Sequence, residues 1–393
     1  MSGPAPSKGW ALRRLGQVIA LDVRERWAGH RTPAPGDIPR DIGADWLTAV
    51  LCRETRGARV TSVRSIGGST GTTTRRRLEI AYNDVGTAAA LPTRLFVKAT
   101  ATLAQRAMLG LGGFIQGESR FYTQVRPGLD IETPQAYFAA DDVRSWRSLV
   151  VMEDVARTRQ ATFWKPEDRV TRPHIEALLA GAATWHGVLW ESPRLGRWSW
   201  LRTPADHMAV IDALIGLADR TVAGAARADS VIAPALRGRR SDVFAGMRRS
   251  MAWASRGPRT YLHGDLHIAN TYRTRDGAAG VCDWQIGLQG SWAFDFAYLL
   301  ATALATEDRR AWEEDLLEQY LERLAAAGGP RISRADGWEA YRRSTLYPYF
   351  AWLYTVGRSR VQPFFAPKKM GLVMVQRISA AIDDLGTLAA LGL

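Results

Sequence analysis

Cysteine, lysine and long apolar runs are scarce in this chain of 393 residues. Its two cysteines, Cys52 and Cys282, lie far apart, which excludes a disulfide framework and a cysteine-ligated metal site. No run approaches the roughly 18 consecutive apolar residues that a membrane-spanning helix needs. The short run Leu15 to Leu21 breaks at once into charged residues, so we expect no signal peptide. Together with the low cysteine content, this predicts a cytoplasmic protein.

The net charge of +13 comes almost wholly from arginine, since the chain has only five lysines. Basic proteins attract nucleic-acid phosphates, but the basic residues here are scattered and no nucleic-acid motif accompanies them. We therefore expect a small-molecule partner and no nucleic-acid or membrane partner, and the oligomeric state stays open. The scarcity of lysine makes Lys98 conspicuous, because it stands inside the apolar run Leu95 to Ala99.

The hydrophobic pattern changes its period along the chain. Period-two alternation predicts strands over 60–66, 77–82, 93–99, 133–139 and 148–153, with one helix over 114–125. Helical periodicity predominates afterwards, including a buried helix over 296–305. This predicts an α+β, bilobal fold: residues 1–45 as an N-terminal extension with a helix over 10–27, 46–154 as an antiparallel-sheet lobe, and 155–393 as a mainly helical lobe.

The run His263-Gly264-Asp265, followed by Asn270, carries the strongest chemical signal. Asp265 and Asn270 are five positions apart, as in the kinase catalytic loop, where the aspartate accepts the substrate proton and the asparagine holds Mg²⁺. Asp283 follows a short apolar strand, and carboxylate and amide oxygens are the ligands that Mg²⁺ prefers. We therefore predict Asp265 as the catalytic residue, Asn270 and Asp283 as metal ligands, and ATP and Mg²⁺ as cofactors.

A second group of residues is predicted to bind the nucleotide. Lys98 is expected to contact the phosphates, held in place by Glu118 from a separate helix. A glycine-rich connection over 67–74 precedes the Lys98 strand, and its backbone N–H groups and hydroxyls are suited to capping phosphates. It lacks the full G-x-G-x-x-G pattern, so its place before that strand carries the prediction. The residues predicted here are Gly68, Ser69, Thr70 and Gly71.

These motifs, with Asp283-Trp284-Gln285 and Asp295-Phe296-Ala297-Tyr298, resemble the ecdysteroid-kinase-like branch of the aminoglycoside phosphotransferase and choline kinase superfamily. The resemblance spans about residues 45–365 and implies a protein-kinase-like fold. It also implies that Glu118 pairs with the ATP-binding lysine. Met152, Glu153 and Asp154 resemble the family's interlobe hinge, which implies contact with the nucleotide. Trp284 stands where the family more often has phenylalanine.

Four further polar residues receive supporting interpretations. His263 is expected to orient the catalytic loop, and Asp295 to cap its helix or brace the loop. His267 either faces the acceptor site or packs, and the sequence favours neither. His186 is expected to pack in the helical lobe.

The predicted function is ATP- and Mg²⁺-dependent phosphorylation of a hydroxyl group on a small molecule. A protein kinase is disfavoured, because the few residues between Asp283 and Asp295 leave no room for a long activation segment. A late aromatic cluster favours an apolar or polycyclic alcohol if it lines the acceptor pocket, and it forms ordinary core otherwise. The alternatives are an aminoglycoside, antibiotic or amino-alcohol kinase, and a nucleotide-binding pseudokinase regulator. The cluster comprises Trp338, Tyr341, Tyr347, Tyr349, Phe350, Trp352 and Tyr354.

Overall fold

The computed structural model describes residues 7–27, 37–39, 41–358 and 366–393. Residues 1–6, 28–36 and 40 of the predicted N-terminal extension lie outside this description. The chain divides into two compact units, one with residues 7–128 and 133–161, the other with 129–132 and 162–393. Among the described helices, none is long and apolar enough to cross a membrane.

The first unit is built on an antiparallel sheet. Its strands are β1 (Val60–Thr70), β2 (Thr74–Tyr82), β3 (Arg94–Ala99), β4 (Ala136–Asp142) and β5 (Arg147–Glu153). They are ordered β1-β2-β3-β5-β4, so all five predicted strands are confirmed. The first two extend into the glycine-rich connection, where Gly68 pairs with Arg76. A Cβ on Gly68 would lie 2.3 Å from the Arg75 carbonyl oxygen, so the close pairing requires glycine.

Six helices accompany this sheet in the described residues. They are α1 (Lys8–Trp27), α2 (Ala44–Leu51), α3 (Asp84–Ala88), α4 (Leu103–Gly112), α5 (Gly117–Arg120) and α6 (Val155–Thr158). The helix predicted over 114–125 corresponds to α5 and a π-helical turn at Phe121–Val125. The structure adds α4, whose apolar pattern is interrupted by two glycines. Its start was nevertheless readable, because Thr102 and Gln105 form a capping box.

The core of the sheet fixes the direction of Lys98. Leu95 and Val97 on β3 are buried against the cluster that includes Trp46 and Leu47 of α2. Since side chains alternate along a strand, Lys98 points to the opposite face of the sheet.

The second unit is mainly helical, as predicted. Its helices are α7 (Arg172–Val188), α8 (Pro193–Arg197), α9 (Pro204–Ile215), α10 (Leu217–Ala228), α11 (Arg240–Ala254), α12 (Ala293–Ala303), α13 (Thr306–Ala326), α14 (Arg334–Arg342), α15 (Leu346–Val356), α16 (Lys368–Asp384) and α17 (Thr387–Ala390). Its strands are β6 (Thr162–Phe163), β7 (Thr260–Leu262), β8 (Thr271–Arg273), β9 (Ala279–Val281) and β10 (Leu288–Gly290).

The short strands hold the motif-bearing segment in place. Strands β6, β8 and β9 form one small antiparallel sheet, and β7 pairs with β10 in another. Every residue of α12 is buried, which is typical of a helix that is apolar on all sides. The prediction of a buried helix in this region is confirmed, with its start at Ala293. The polar side chains of Asp295 and Tyr298 are therefore held in the interior.

Candidate active site

The predicted catalytic loop begins with a turn that only glycine fits. Gly264 has a φ of +81°, in the left-handed region, and a Cβ there would lie 2.2 Å from the carbonyl oxygen of Ile286. The chain after Asp283 returns beside the loop, because β10 pairs with β7 through Leu288 and Leu262. The loop is thus packed between its own leading strand and the segment that follows it.

Asp295 holds the start of the loop through hydrogen bonds to its backbone. Its Oδ2 accepts a hydrogen bond from the His263 N–H at 2.6 Å, and its Oδ1 accepts one from the Gly264 N–H at 3.0 Å. The carboxylate is fully buried. These bonds therefore give two buried backbone N–H groups an acceptor and stabilise the charge of the carboxylate. The contacts join the loop directly to the first turn of α12.

His186 is buried and packs on Trp185, as predicted, and it also takes part in the same hydrogen-bond network. Its Nε2 lies 3.2 Å from Oδ2 of Asp295, and its Nδ1 lies 2.6 Å from the Tyr320 hydroxyl. A buried imidazole must satisfy both ring nitrogens, and here each has a partner. No local pattern indicated this role, because Tyr320 is 134 positions away.

The Asp265 carboxylate is partly open although its neighbours are buried. The side chain keeps 29% of its exposure. Its Oδ1 accepts a hydrogen bond from the Tyr298 hydroxyl at 2.8 Å, and its backbone carbonyl accepts one from Asn270 Nδ2 at 2.9 Å. Its Oδ2 has longer contacts, 3.4 Å to Asn270 Nδ2 and 3.6 Å to His267 Nε2. One oxygen is therefore fixed and the other is more weakly engaged.

Tyr298 was not predicted as a site residue. Burial, then the charge of Asp265, raises the pKa of its phenol well above the usual range. The hydroxyl therefore stays protonated and donates to Asp265. The signal was available in the sequence, because Tyr298 follows Asp295 by three positions and residues so spaced lie on one helix face.

His263 and His267 occupy different surroundings. The Nδ1 of His263 accepts a hydrogen bond from the Asp265 N–H, so its Nε2 carries the proton and donates to the Cys282 carbonyl at 3.0 Å. The ring of His267 is buried between two aromatic rings. Its centroid lies 5.3 Å from that of Trp352 and 6.0 Å from that of Tyr298. Burial lowers the pKa of His267, and the nearby Asp265 opposes this. Its Nδ1 has no hydrogen-bond partner among the described residues.

The register of β8 and β9 brings the two predicted metal ligands close in the fold. Thr271 pairs with Val281, and the Cys282 N–H donates to the Asn270 carbonyl at 2.9 Å. Asp283 is the next residue and has a left-handed φ of 65°, which is uncommon outside glycine. Because Asn270 Nδ2 is turned to Asp265, its side-chain oxygen is the atom left to face a cation. An amide oxygen and a carboxylate fit Mg²⁺.

Trp284, the departure from the family pattern, is fully buried. The centroid of its ring lies 4.6 Å from the ring centroid of His263 and 5.1 Å from that of Trp185. The larger ring therefore contributes to packing beneath the catalytic loop.

The first unit carries the predicted nucleotide-binding residues. Lys98 Nζ lies 2.8 Å from Oε2 of Glu118, and both side chains are buried. Gly68, Ser69 and Thr70 belong to β1, and the turn closes with a bond from the Gly71 N–H to the Thr73 carbonyl at 3.0 Å. The predicted lysine–glutamate pair therefore forms in the structure.

Gln105, which was not predicted, fastens the tip of this hairpin. Its Nε2 donates to the Gly71 carbonyl at 3.0 Å. Its Oε1 accepts from the Ala101 N–H at 3.1 Å and the Thr74 hydroxyl at 3.2 Å. The side chain is buried, so it couples the hairpin tip to the start of α4. The capping-box spacing of Thr102 and Gln105 was the sequence pattern from which a structural role of Gln105 could have been predicted.

The predicted hinge residues already form several hydrogen bonds within the first unit. The Glu153 N–H donates to the Gln135 carbonyl at 2.8 Å, and its carboxylate binds Arg159. The Asp154 N–H donates to the Arg94 carbonyl, and burial raises the pKa of the Asp154 carboxyl. Met152 lies inside β5. Those two backbone N–H groups are therefore already engaged in the sheet.

The late aromatic cluster divides in two. Trp352 packs on His267, and Tyr347 lies 5.9 Å from Tyr298, so both reach the surroundings of Asp265. Tyr341 instead donates to Glu313, and Trp338 packs on Tyr341. Phe350 packs on Phe244 and Tyr349. The members of the cluster therefore do not form one group, and the lining of an acceptor pocket by Trp352 and Tyr347 stays a prediction.

The chain is similar to several solved structures. A candidate aminoglycoside phosphotransferase from Ralstonia eutropha JMP134 has 14% identity and a TM-score of 0.52, covering 88% of this chain and 96% of that one. The choline kinase LicA from Streptococcus pneumoniae has 16% identity and a TM-score of 0.45, covering 83% and 94%. The macrolide 2'-phosphotransferase MphH from Brachybacterium faecium has 16% and 0.43, covering 79% and 91%. The first likeness shows a protein-kinase-like fold.

Comparison with curated protein sequences finds no match. The family model described as "Phosphotransferase enzyme family", abbreviated APH, matches residues 112–342, which is more than half of the chain. The chain therefore belongs to the APH phosphotransferase family and is a small-molecule kinase.

Proposed function

We propose that this enzyme transfers the γ-phosphoryl group of ATP to a hydroxyl group of a small molecule. The observation that carries the proposal is the partly exposed Asp265 carboxylate on a braced loop. Tyr298 fixes one carboxylate oxygen, and the other is placed to accept the proton of the acceptor hydroxyl. Phosphoryl transfer depends mainly on positioning and charge stabilisation, and such a fixed carboxylate supplies positioning.

Asn270 and Asp283 would hold Mg²⁺ through their side-chain oxygens. Among the described residues, no three His, Cys, Asp or Glu side chains cluster as a metal site, so phosphate and water oxygens would complete the coordination. When bound, the ion would neutralise charge on the phosphates of ATP. The residues of this chain would orient it and the acceptor.

On this proposal residues 46–154 bind ATP and 155–393 carry the catalytic loop and acceptor site. Lys98, oriented by Glu118, contacts the phosphates. The hairpin residues from Gly68 to Gly71 cap these phosphates. Met152 to Asp154 lie beside the adenine base of ATP. The supply of ATP and the low cysteine content favour a cytoplasmic location.

The acceptor is proposed to be an apolar or polycyclic alcohol. The support is the neutral, aromatic character of the groups beside Asp265, namely Trp352, Tyr298 and His267, whose pKa is lowered by burial. Polycationic acceptors favour several carboxylates, because charge complementarity orients them. The motifs around residues 283–298 further support assignment to the ecdysteroid-kinase-like branch.

The test is ATP consumption by the purified protein with Mg²⁺ across sterols, macrolides, aminoglycosides, choline and sugars. Turnover that needs an apolar alcohol and is abolished by Asp265→Asn, but kept by the exposed control Asp383→Asn, supports the proposal. Saturable turnover of kanamycin alone identifies an aminoglycoside kinase instead. ATP binding without turnover on any acceptor favours the pseudokinase alternative.

A further inference from the structure

The N-terminal helix α1 has two adjacent rows of side chains rich in apolar residues, and only one of these rows is covered. Leu15 and Val18 pack on Leu109 and Trp146 in a small core. One turn further on, Asp22 on the same face forms a buried ion pair with Arg106 at 2.7 Å. These contacts attach α1 firmly to the sheet-bearing unit.

The neighbouring side of the helix carries an exposed apolar stripe, since Leu12 and Ile19 lie three and four positions from Leu15. Its members recur at three- and four-residue intervals, so they lie on one side of the helix. Leu12 is 71% exposed, Ile19 40%, Val23 48% and Trp27 87%, with Gly16 between the first two. Scattered exposed apolar residues are ordinary, but an aligned row over about four turns of one helix marks an interaction surface.

Positive charge borders this stripe. Lys8 stands one turn before Leu12, and Arg13 and Arg24 lie on the adjacent row of the helix, all three of them exposed. The only acidic side chain that the structure describes on α1, Asp22, is buried and paired. The described part of this face therefore combines apolar and cationic groups without an exposed carboxylate.

We propose that α1 docks this enzyme on the surface of an anionic lipid bilayer. An interfacial helix places apolar side chains among the acyl chains while lysine and arginine contact acidic headgroups, and tryptophan favours that boundary. A second copy of the chain suits the surface less well, because it would oppose cations with cations. The expectation of no membrane partner rested on spanning segments, and a helix lying on the surface is a different arrangement. The proposal does not depend on the identity of the acceptor.

The test is co-sedimentation of the full chain with phosphatidylcholine vesicles, with and without phosphatidylglycerol. Val23→Glu is expected to lower partitioning onto phosphatidylglycerol vesicles at least about tenfold, since it places a charge among headgroups of like sign. Arg13→Gln combined with Arg24→Gln should lower it by about thirtyfold at low salt. Val85→Glu is the matched control, because Val85 is 44% exposed in the same unit, and it should bind like the unchanged protein.

Four results would overturn the proposal. The first two are no binding to phosphatidylglycerol vesicles, and binding to neutral vesicles as strong as to phosphatidylglycerol vesicles. The third is a loss of binding in Val85→Glu as large as in Val23→Glu, and the fourth is a dimer that Val23→Glu dissociates, which would assign the stripe to a second copy. Light scattering measures the last. Unchanged thermal unfolding of Val23→Glu shows that the fold is kept, and Asp265→Asn should bind vesicles normally, which separates this result from any failure of the catalytic proposal.

Discussion

The Tyr298 hydroxyl donates a 2.8 Å hydrogen bond to Oδ1 of Asp265, across 33 positions of sequence. The donor lies in the fully buried helix α12, and the acceptor is a partly exposed carboxylate on the catalytic loop. The bond therefore sets which carboxylate oxygen is available to a substrate.

Tyr298→Phe should lower kcat by about 10- to 100-fold, the effect of losing a hydrogen bond to a charged group. The KM for ATP should stay unchanged, because the ring and the fold are kept. Steady-state kinetics measure both constants. Tyr272→Phe is the control, because it removes a bond of the same length, to Glu132, that does not involve the Asp265 carboxylate. An unchanged kcat in Tyr298→Phe would contradict the positioning role.

Asp295→Ala should lower the free energy of unfolding by about 2–5 kcal/mol, because it leaves the buried N–H groups of His263 and Gly264 without partners. Activity should fall with it. Urea unfolding and turnover at a fixed temperature measure the two effects. Asp383→Ala, at an exposed site, is the control. Full activity in a folded Asp295→Ala protein would show that the brace is dispensable.

Lys98→Met should weaken ATP binding by at least about tenfold, because the lysine is proposed to contact the phosphates. Glu118→Gln should also weaken it, because it removes the carboxylate that holds the lysine. In a double-mutant cycle the effects should not add, since the partners act as a pair. Calorimetric titration with ATP measures each affinity, and strict additivity would argue against coupling.

Gln105→Leu should raise the KM for ATP several-fold with a smaller change in kcat, because the hairpin tip loses its attachment to α4. Gln105→Glu keeps an acceptor oxygen for the Thr74 hydroxyl and loses the donor to Gly71. It should therefore have an intermediate effect. Equal KM values in all three proteins would show that the attachment does not affect nucleotide binding.

His174 should make the fold sensitive to acid. Burial lowers its pKa to about 4, below the value near 6.5 of an unfolded chain. The unfolded state therefore binds the proton first, and the stabilisation present above pH 6.5 is lost as pH falls towards 4. The loss should approach about 1.4 kcal/mol per pH unit. His174→Phe, which keeps an aromatic ring beside Trp164, should reduce that slope in urea unfolding, and an unchanged slope would contradict the prediction.

The sequence predicted the sheet well because its strands alternate in polarity, as Leu78 and Ile80 do on β2. It predicted the catalytic segment because Asp265, Asn270 and Asp283 are close along the chain and their spacing is constrained by one loop and one hairpin. The helix α4 was harder to recognise, since Gly110 and Gly112 break its apolar pattern.

The supporting residues were the ones that sequence reasoning missed. His186, Tyr320 and Gln105 act through contacts between distant segments, and no local pattern distinguishes a hydrogen-bonded buried histidine from a packing one. The late aromatic cluster shows the same limit. Tyr347 and Tyr341 are both buried tyrosines of this cluster, and it is packing that directs one towards Tyr298 and the other towards Glu313.

The short segment between Asp283 and Asp295 bears on how this enzyme can be regulated. Its middle is a strand, β10, paired with the strand that leads into the catalytic loop, and Ile286 lies against Gly264. Releasing that segment would dismantle the loop itself, so covalent modification there has no separate inactive arrangement to favour. The catalytic loop is therefore expected to keep one arrangement in the folded enzyme, with no rearrangement of the segment between Asp283 and Asp295 needed for activity.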